Sequence, residues 1–148
     1  MDVLYLFHRY RDDVYRLAVN YTRSWQEAED ICQNVFLKLL EQPQITPGKE
    51  KAWLMQVTAN ACRDLLKSSW WKRTVPLEQA LQIPETQTDE TIYLLQKLPP
   101  RYRVVLYLHY YEQYTTPEIA QLLKIPTGTV STRLKRGRDQ LKSMLKEG

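Results

Sequence analysis

TTPEIAQLLKIPTGTVSTRLKRGRDQL, residues 115–141, is the most informative stretch of this chain. Its apolar spacing predicts two short helices joined by a tight turn, and the second of them is basic. Thr115 is placed to cap the first helix, and Glu118 is placed to complete a capping box with it. Pro117 fits the first helical turn, where its missing N–H costs nothing. This is the arrangement of a helix-turn-helix, which presents its second helix to the DNA major groove.

The second helix of this pair separates its side chains by face. Thr127 or Thr129 can cap it, after the stop at Ile125-Pro126. A polar, basic surface on an apolar back suits bases and phosphates, although a solvated basic helix at the end of a domain has the same composition. The apolar stripe is Val130, Leu134, Gly137 and Leu141, one flank is Ser131, Lys135, Arg138 and Lys142, and the far side is Thr132 and Arg136.

Charge is distributed unevenly along the 148 residues. From Lys97 to Gly148 there are ten basic and four acidic residues, a net charge of +6, whereas the remainder of the chain carries −2. Because the basic part contains the helix-turn-helix, we expect a polyanionic partner.

Few residues suggest chemistry of their own. Cys32 and Cys62 lie in helical patterns without a nearby Cys or His at metal-ligand spacing, so we interpret them as buried free thiols; a redox pair remains open. His8 and His109 are isolated, and no Gly-rich phosphate loop or nucleophile–base pair is visible, which disfavours an enzyme, a metal or a cofactor. No apolar run approaches the roughly 20 residues of a membrane span and the N-terminus lacks a signal-peptide pattern, so we expect a cytoplasmic protein without membrane insertion.

Helical spacing recurs along the chain, and no alternating pattern predicts a sheet. We therefore predict an all-α fold of two small helical modules, residues 1–73 and 89–148, joined by a flexible linker over residues 74–88. Residues 74–89 support that division, because they hold two prolines and three acids but no basic residue. One helix is expected over residues 2–23, and a second begins after a cap at Ser24. Further helices are expected over residues 50–71, near 89–97 and over 100–112, and the helix-turn-helix follows them.

The predicted core follows from the same spacing. Arg103 and most of the tyrosines at positions 102, 107, 110 and 111 are expected to be structural. The core stripes are Val14, Leu17, Ala18 and Tyr21 in the first helix, Ala28, Ile31, Cys32, Val35 and Leu39 in the second, Leu54, Val57, Ala61 and Leu65 in the third, and Ile119, Ala120, Leu122 and Leu123 in the helix that begins the helix-turn-helix.

Two further runs make the resemblance to a known family specific. AEDICQNVFLKLL (residues 28–40), followed by AWLMQVTANACRDLL (residues 52–66), resembles region 2 of the sigma-70-family factors. LPPRYRVVLYLHYYEQYTTPEIAQLLKIPTGTVSTRLKRGRDQL (residues 98–141) resembles region 4, and the short linker is similar to that of the extracytoplasmic-function (group 4) sigma factors. The resemblance covers nearly the whole chain. It implies a protein that binds core RNA polymerase, directs it to promoters and opens the −10 region, and it implies an anti-sigma partner.

The resemblance places the polymerase contact on the helix that carries AED..Q..F. This helix docks on the β′ coiled coil in the family, and the β flap is the second implied contact on core polymerase. From the residues alone, a strip with an acid, an amide and an aromatic suits a protein interface or a solvated helix start equally well. The residues carried over are Asp30, Gln33 and Phe36, with Glu29 and Asn34 beside them.

The helix from Ala52 onward resembles the element that reads and melts double-stranded DNA at the −10 position and holds the resulting single strand. Asn60 is the expected base contact; the alternative is an internal hydrogen bond to a loop carbonyl. The loop Gln42–Lys51 matches the segment that holds a flipped base, and Trp70 and Trp71 stand where family members often have arginines. The expected −10 contacts are Asn60, Arg63, Asp64, Lys67, Lys72 and Arg73.

Region 4 of the family binds the −35 element, and the resemblance assigns that role to residues 127–138. Lys124 occupies the turn position where the family usually has glycine. A positive φ there would cost a lysine on the order of 1 kcal/mol, unless the turn takes another geometry. Ser131, Thr132, Lys135 and Arg136 fall where the family contacts bases, Thr129, Arg133 and Arg138 suit phosphates, and Thr127 begins the assigned range.

A second class of protein is a stand-alone helix-turn-helix regulator that binds an operator as a dimer. It accounts for residues 98–141 but leaves residues 28–66 unexplained.

Overall fold

A computed structural model describes residues 2–41, 44–67 and 95–147, and every regular element in these ranges is helical. The all-α prediction is confirmed for this part of the chain. None of the described helices combines the length and the apolar character that crossing a bilayer requires.

The chain divides into two units, Met1–Gln82 and Ile83–Gly148. The predicted linker, residues 74–88, lies outside the described residues and stays a prediction. The predicted helix near 89–97 and the end of the one over 50–71 also fall largely outside them. The same is true of four residues singled out in the sequence, Trp70, Trp71, Lys72 and Arg73.

The first unit contains three helices, α1 (Val3–Thr22), α2 (Trp25–Glu41) and α3 (Glu50–Lys67). Of the two residues between α1 and α2, one ends the first helix and the other caps the second. Arg23 ends α1 with a left-handed backbone, φ 53°, and its N–H donates to the carbonyl of Val19. The hydroxyl oxygen of Ser24 accepts a hydrogen bond of 3.2 Å from the N–H of Glu27, so the predicted cap of α2 is confirmed.

The core of this unit follows the predicted stripes in α1 and α2, whose members are all buried. The stripe predicted in α3 is partly wrong. Leu54 is buried, but Val57, Ala61 and Leu65 are only half-buried, and the core face turns instead toward Met55, Thr58, Ala59 and Cys62. The burial of Thr58 is compatible with this face because its hydroxyl donates to the carbonyl of Leu54 at 2.6 Å.

The two cysteines are buried free thiols, as predicted. Burial raises the pKa of Cys32 to about 11, and it raises the pKa of Cys62 well above the ordinary thiol value. Both groups are therefore protonated near neutral pH and belong to the apolar core.

The second unit contains α4 (Pro100–Leu106), a π-helical turn (Tyr107–Tyr111), α5 (Thr116–Leu123) and α6 (Thr127–Glu147). Arg103 of α4 is fully buried and donates to the carbonyl of Leu98 at 2.7 Å, which confirms its structural role.

The π-helical turn corrects the prediction for the tyrosines. Tyr102 and Tyr107 are buried, but Tyr110 and Tyr111 are 57% and 45% exposed. The N–H of Glu112 donates to the carbonyl of Tyr107, five residues back, so this turn holds more residues than an α-helical one. A pattern based on 3.6 residues per turn therefore places the last two tyrosines on the wrong face.

The predicted capping box of α5 is present. Thr115 Oγ1 accepts from the N–H of Glu118 at 3.3 Å, and the carboxylate of Glu118 accepts from the N–H of Thr115 at 2.9 Å. Hydrogen bonding to its carboxylate, first from the Thr115 backbone N–H and then from the Thr115 side chain, lowers the pKa of Glu118. The cap is thus complete while this carboxyl is ionised and is lost as the pH falls through its lowered pKa.

The turn between α5 and α6 adopts the left-handed geometry that is costly for lysine. Lys124 has φ 58°, and the N–H groups of Lys124 and Ile125 both donate to the carbonyl of Ala120. The predicted cap of α6 is wrong, because the helix begins at Thr127 and so holds Thr127 and Thr129 in its first turn. The carbonyl of Pro126 instead accepts from the backbone N–H groups of residues 129 and 130.

The back of α6 packs on α4 at Gly137. Val130, Leu134 and Gly137 are buried as predicted, and Leu141 is half-buried. A Cβ atom at position 137 would lie 2.8 Å from Leu106 Cδ1 and 3.2 Å from Tyr102 Cβ. A side chain at position 137 would therefore require Leu106 and Tyr102 to shift by a few tenths of an ångström.

Gly137→Ala is expected to lower the free energy of unfolding by about 1–3 kcal/mol relative to Gly128→Ala, through overpacking against α4. The two glycines share α6, but a Cβ at position 128 has no neighbour within 4 Å. Urea unfolding of the two variants measures the difference. Equal free energies of unfolding would show that the residues around Gly137 accommodate a Cβ atom without loss of stability.

Candidate functional site

A polar strip runs along the outer face of α2. Glu29, Asp30, Gln33 and Asn34 are all exposed, and no side chain among them forms a hydrogen bond or ion pair within the described ranges. Burial, and next the carboxylate of Asp30, raises the pKa of Glu27 at the start of the strip. The strip is therefore an acidic surface with hydrogen-bonding groups available to a partner.

Phe36, the predicted aromatic member of this strip, belongs mostly to the core. It is 6% exposed, and its ring packs edge-on against the ring of Phe7, with 5.1 Å between centroids. Its ring therefore packs against α1, and its assignment to the polymerase contact stays a prediction.

An apolar groove of about 510 Å³ lies beside Phe36, between α1 and α2. Leu4, Leu37 and Leu40 contribute apolar surface that is 67%, 56% and 64% exposed. The groove was not predicted from the sequence, although Leu37 and Leu40 fall outside the core stripe of α2 and so indicate apolar surface outside the core. The lining consists of Val3, Leu4, Phe7, Gln33, Phe36, Leu37 and Leu40.

The polar face of α3 points away from its core. Asn60 is half-buried, and its side-chain oxygen accepts hydrogen bonds from Arg63 and, at 3.5 Å, from Gln56. Its recorded partners are thus neighbours along the helix rather than a loop carbonyl. Asp64 and Lys67 continue this face and are exposed.

The loop before α3 is described from Gln44 onward. It contains a turn in which the N–H of Lys49 donates to the carbonyl of Thr46 at 3.0 Å. Gly48 has φ 84°, a backbone conformation that other residues adopt only at a cost. This glycine shapes the part of the predicted base-holding segment that the structure describes.

The front of α6 brings together the residues predicted to meet DNA. Thr132 donates its hydroxyl to the carbonyl of Gly128 at 3.0 Å, and Arg138 donates to the hydroxyl of Tyr110 at 2.8 Å. The second contact fixes Arg138 against the π-helical turn. The exposed members are Thr127, Ser131, Thr132, Lys135, Arg136 and Arg138, and the half-buried ones are Thr129 and Arg133.

A second groove, of about 680 Å³, lies between α4 and α6, and we call it the arginine groove. The guanidinium of Arg101 lies over the ring of Tyr102, with Cζ 4.5 Å from its centroid. Hydrogen bonding from Arg101, and then from Arg136, lowers the pKa of the Tyr102 phenol. The lining consists of Arg101, Tyr102, Pro126, Gly128, Thr129, Thr132, Arg133 and Arg136.

Sequence reasoning missed Arg101 as a neighbour of the recognition helix. Its position after Pro99-Pro100 marks only a helix start. The small residue at position 137 signals a close helix contact, but the sequence does not reveal which residues of α4 meet it.

Family models match both units. The model for Sigma-70 region 2 matches residues 6–72, and the model for Sigma-70, region 4 matches residues 89–141. The chain belongs to the sigma-70 family. Region 2 therefore includes most of α1 with α2 and α3, and region 4 includes α4 and α5 with most of α6.

Individual relatives agree with this assignment. The sigma-70-family chain is 31% identical to the ECF RNA polymerase sigma factor SigE of Mycolicibacterium smegmatis, over 95% of this chain and 60% of SigE. It is 27% identical to the ECF RNA polymerase sigma factor SigW of Bacillus subtilis, over 93% of this chain and 86% of SigW. It thus spans less than two thirds of SigE but most of SigW.

A solved structure has the same fold. The sigma factor RpoE of Bartonella quintana, in complex with the anti-sigma factor NepR, superposes with a TM-score of 0.73. The identity is 16%, and the match covers 95% of this chain and 94% of RpoE. The two helical modules predicted from sequence are thus the fold of a known sigma factor.

Phe36→Ala in region 2 is expected to lower the free energy of unfolding by about 3–5 kcal/mol, because it empties a buried site against Phe7. Leu37→Ala, at the next position on α2, should change it by less than about 1 kcal/mol because that side chain is mostly exposed. Chemical unfolding followed by circular dichroism compares the two. Similar losses in both variants would contradict the burial of Phe36.

Proposed function

We propose that this chain is an alternative sigma factor of the extracytoplasmic-function group. It binds core RNA polymerase in the cytoplasm, directs it to specific promoters and helps to open the −10 region. The observation that carries this proposal is the presence of regions 2 and 4 in one chain, in that order, each with an exposed polar helix face. The chain acts by binding and base capture, without bond chemistry.

The polymerase contact is assigned to α2. Glu29, Asp30, Gln33 and Asn34 supply polar groups that have no partner in the described residues, and the apolar groove continues the strip at Gln33. A polar surface beside exposed leucines has the composition of a protein interface. Phe36 lines the groove from a mostly buried position beside Phe7.

The DNA contacts are divided between the two modules. The front of α6 reads the −35 element, and the polar face of α3 holds a base of the opened −10 element. Linking both modules to one polymerase raises the effective concentration of each for its DNA element. Neither module therefore needs to bind DNA tightly by itself.

Two further features belong to this proposal. An anti-sigma factor is the expected regulator, since the solved RpoE structure is a complex with the anti-sigma factor NepR. The β′ coiled coil and the β flap are the expected sites on polymerase. A stand-alone dimeric regulator is not favoured, because such a protein has no use for the polar strip of α2.

Asp30→Arg is expected to abolish binding to core RNA polymerase while leaving the helix content unchanged. The substitution reverses an exposed charge in the centre of the strip. Asp12→Arg is the matched control, because it makes the same charge change at an exposed position of α1. Binding is measured by pull-down with purified bacterial core enzyme.

The outcomes of this comparison are distinct. The proposal expects the wild type and Asp12→Arg to bind and Asp30→Arg to fail. Equal binding by all three chains would remove the strip from the interface. No binding by any of them, with all three folded, would contradict the proposed function and favour a stand-alone DNA binder.

Asn60→Ala is expected to slow promoter opening by about tenfold or more, because a lost base contact is worth about 1–3 kcal/mol. Formation of the closed complex should change little, since it depends on α6. Permanganate reactivity of melted thymines measures opening, and a mobility shift at low temperature measures the closed complex. Unchanged permanganate reactivity would reject the base-holding role of Asn60.

A further inference from the structure

The arginine groove concentrates positive charge without compensation. Arg101 comes from the first turn of α4, and Arg133 and Arg136 come from α6. None of the three forms an ion pair with a carboxylate within residues 2–41, 44–67 and 95–147, and no acidic residue lines the groove. Like charges held around one space repel each other, so this arrangement favours an anion in the groove.

The packing of α4 on α6 holds these arginines around one groove. Tyr102 Cβ would lie 3.2 Å from a side chain at position 137, so its backbone is held against Gly137 of α6. The ring of Tyr102 is 6% exposed and supports the guanidinium of Arg101 by a cation–π contact. Arg101 is therefore held beside α6 before any ligand binds, which reduces the entropic cost of binding.

The arginine groove is continuous with the face proposed to read bases. Thr132 and Arg136 belong to both surfaces. A recognition helix in the major groove has a phosphate backbone on each flank, because that groove is about 12 Å wide. When the front of α6 enters the major groove, one of these backbones lies over the arginine groove. The hydroxyl of Thr129 lines the same space and can donate to a phosphate oxygen, whereas the hydroxyl of Thr132 already donates to the carbonyl of Gly128.

We propose that the arginine groove holds a phosphate of the DNA backbone beside the −35 element, and that Arg101 supplies a cation for it from outside the helix-turn-helix. This inference rests on the proposed function, because it needs α6 to be the DNA-reading helix. Arg101 contacts no base, so its contribution to affinity is the same for every sequence. Region 4 thus binds DNA through α4 as well as through α6.

The test uses the full chain in holoenzyme with core polymerase, on a promoter duplex that the wild-type holoenzyme selects from random DNA. The dissociation constant of the closed complex is measured between 50 and 200 mM salt for the wild type, Arg101→Ala and Arg136→Ala. Lys146→Ala is the control, because it removes the same charge ten residues, about 15 Å, beyond Arg136 on α6. Each duplex is paired with one in which the −35 element is scrambled.

Arg101→Ala is expected to weaken binding to the matched and the scrambled duplex by the same factor. One lost phosphate contact makes the salt slope shallower by about 0.9, so the advantage of the wild type shrinks about 3.5-fold between 50 and 200 mM salt. Arg136→Ala is expected to weaken the matched duplex more than the scrambled one. A salt slope for Arg101→Ala equal to that of Lys146→Ala would overturn the inference.

Single uncharged methylphosphonates, placed in turn along both strands beside the −35 element, provide a second readout. At one position the substitution should weaken the wild type but leave Arg101→Ala unaffected. If the substitution weakens both chains equally at every position, the inference is wrong. The proposed function would still stand if Arg136→Ala weakened the matched duplex more than the scrambled one. If the wild-type holoenzyme selects no duplex at all, both the function and the inference fail.

Discussion

The close contact between α4 and α6 at Gly137 determines how region 4 presents its surface. Because a side chain at this position would crowd Tyr102 and Leu106, its absence lets the two helices approach closely. Val130 and Leu134 are also buried in α6, and the opposite face of the helix is left to solvent. The contact also brings Arg101 beside Arg136. The proposed base-reading face and the arginine groove therefore have one structural origin.

Region 2 depends on a similar division of each helix into a buried and an exposed side. In α2 the stripe from Ala28 to Leu39 is buried, which leaves the acidic strip and the exposed leucines outside. In α3 the buried stripe includes Thr58 and Cys62, and the polar face with Asn60 lies opposite. The two proposed interactions, with polymerase and with the −10 element, thus use different helices of one small core.

Much of this architecture could be predicted from the sequence because the decisive signals are local. The capping box at Thr115, the cap at Ser24 and the stripes of α1 and α2 depend on residues within one or two turns of each other. The structural role of Arg103 was also expected, and the family models agree with the order of the two modules. Local spacing is sufficient for such features.

The features that differ from the sequence-based predictions have identifiable physical causes. The stripe of α3 was misplaced because Thr58 is buried with a satisfied hydroxyl, which an apolar pattern does not register. Tyr110 and Tyr111 are exposed because a π-helical turn changes the number of residues per turn. Phe36 shares the predicted strip with Asp30 and Gln33, but its ring packs against Phe7, nearly thirty residues away in sequence. The arginine groove also depends on a contact between distant helices. Packing across the chain decides these features.

The central claim is that this chain gives core RNA polymerase its choice of promoter. The most direct test is transcription of fragmented bacterial DNA by purified core enzyme, with and without the chain, followed by mapping of transcript 5′ ends. We expect a small set of start sites that appear only with the chain and share spaced −35 and −10 elements. The same start sites without the chain, or tight DNA binding by a dimer that leaves the start sites unchanged, would show that the chain does not direct the polymerase.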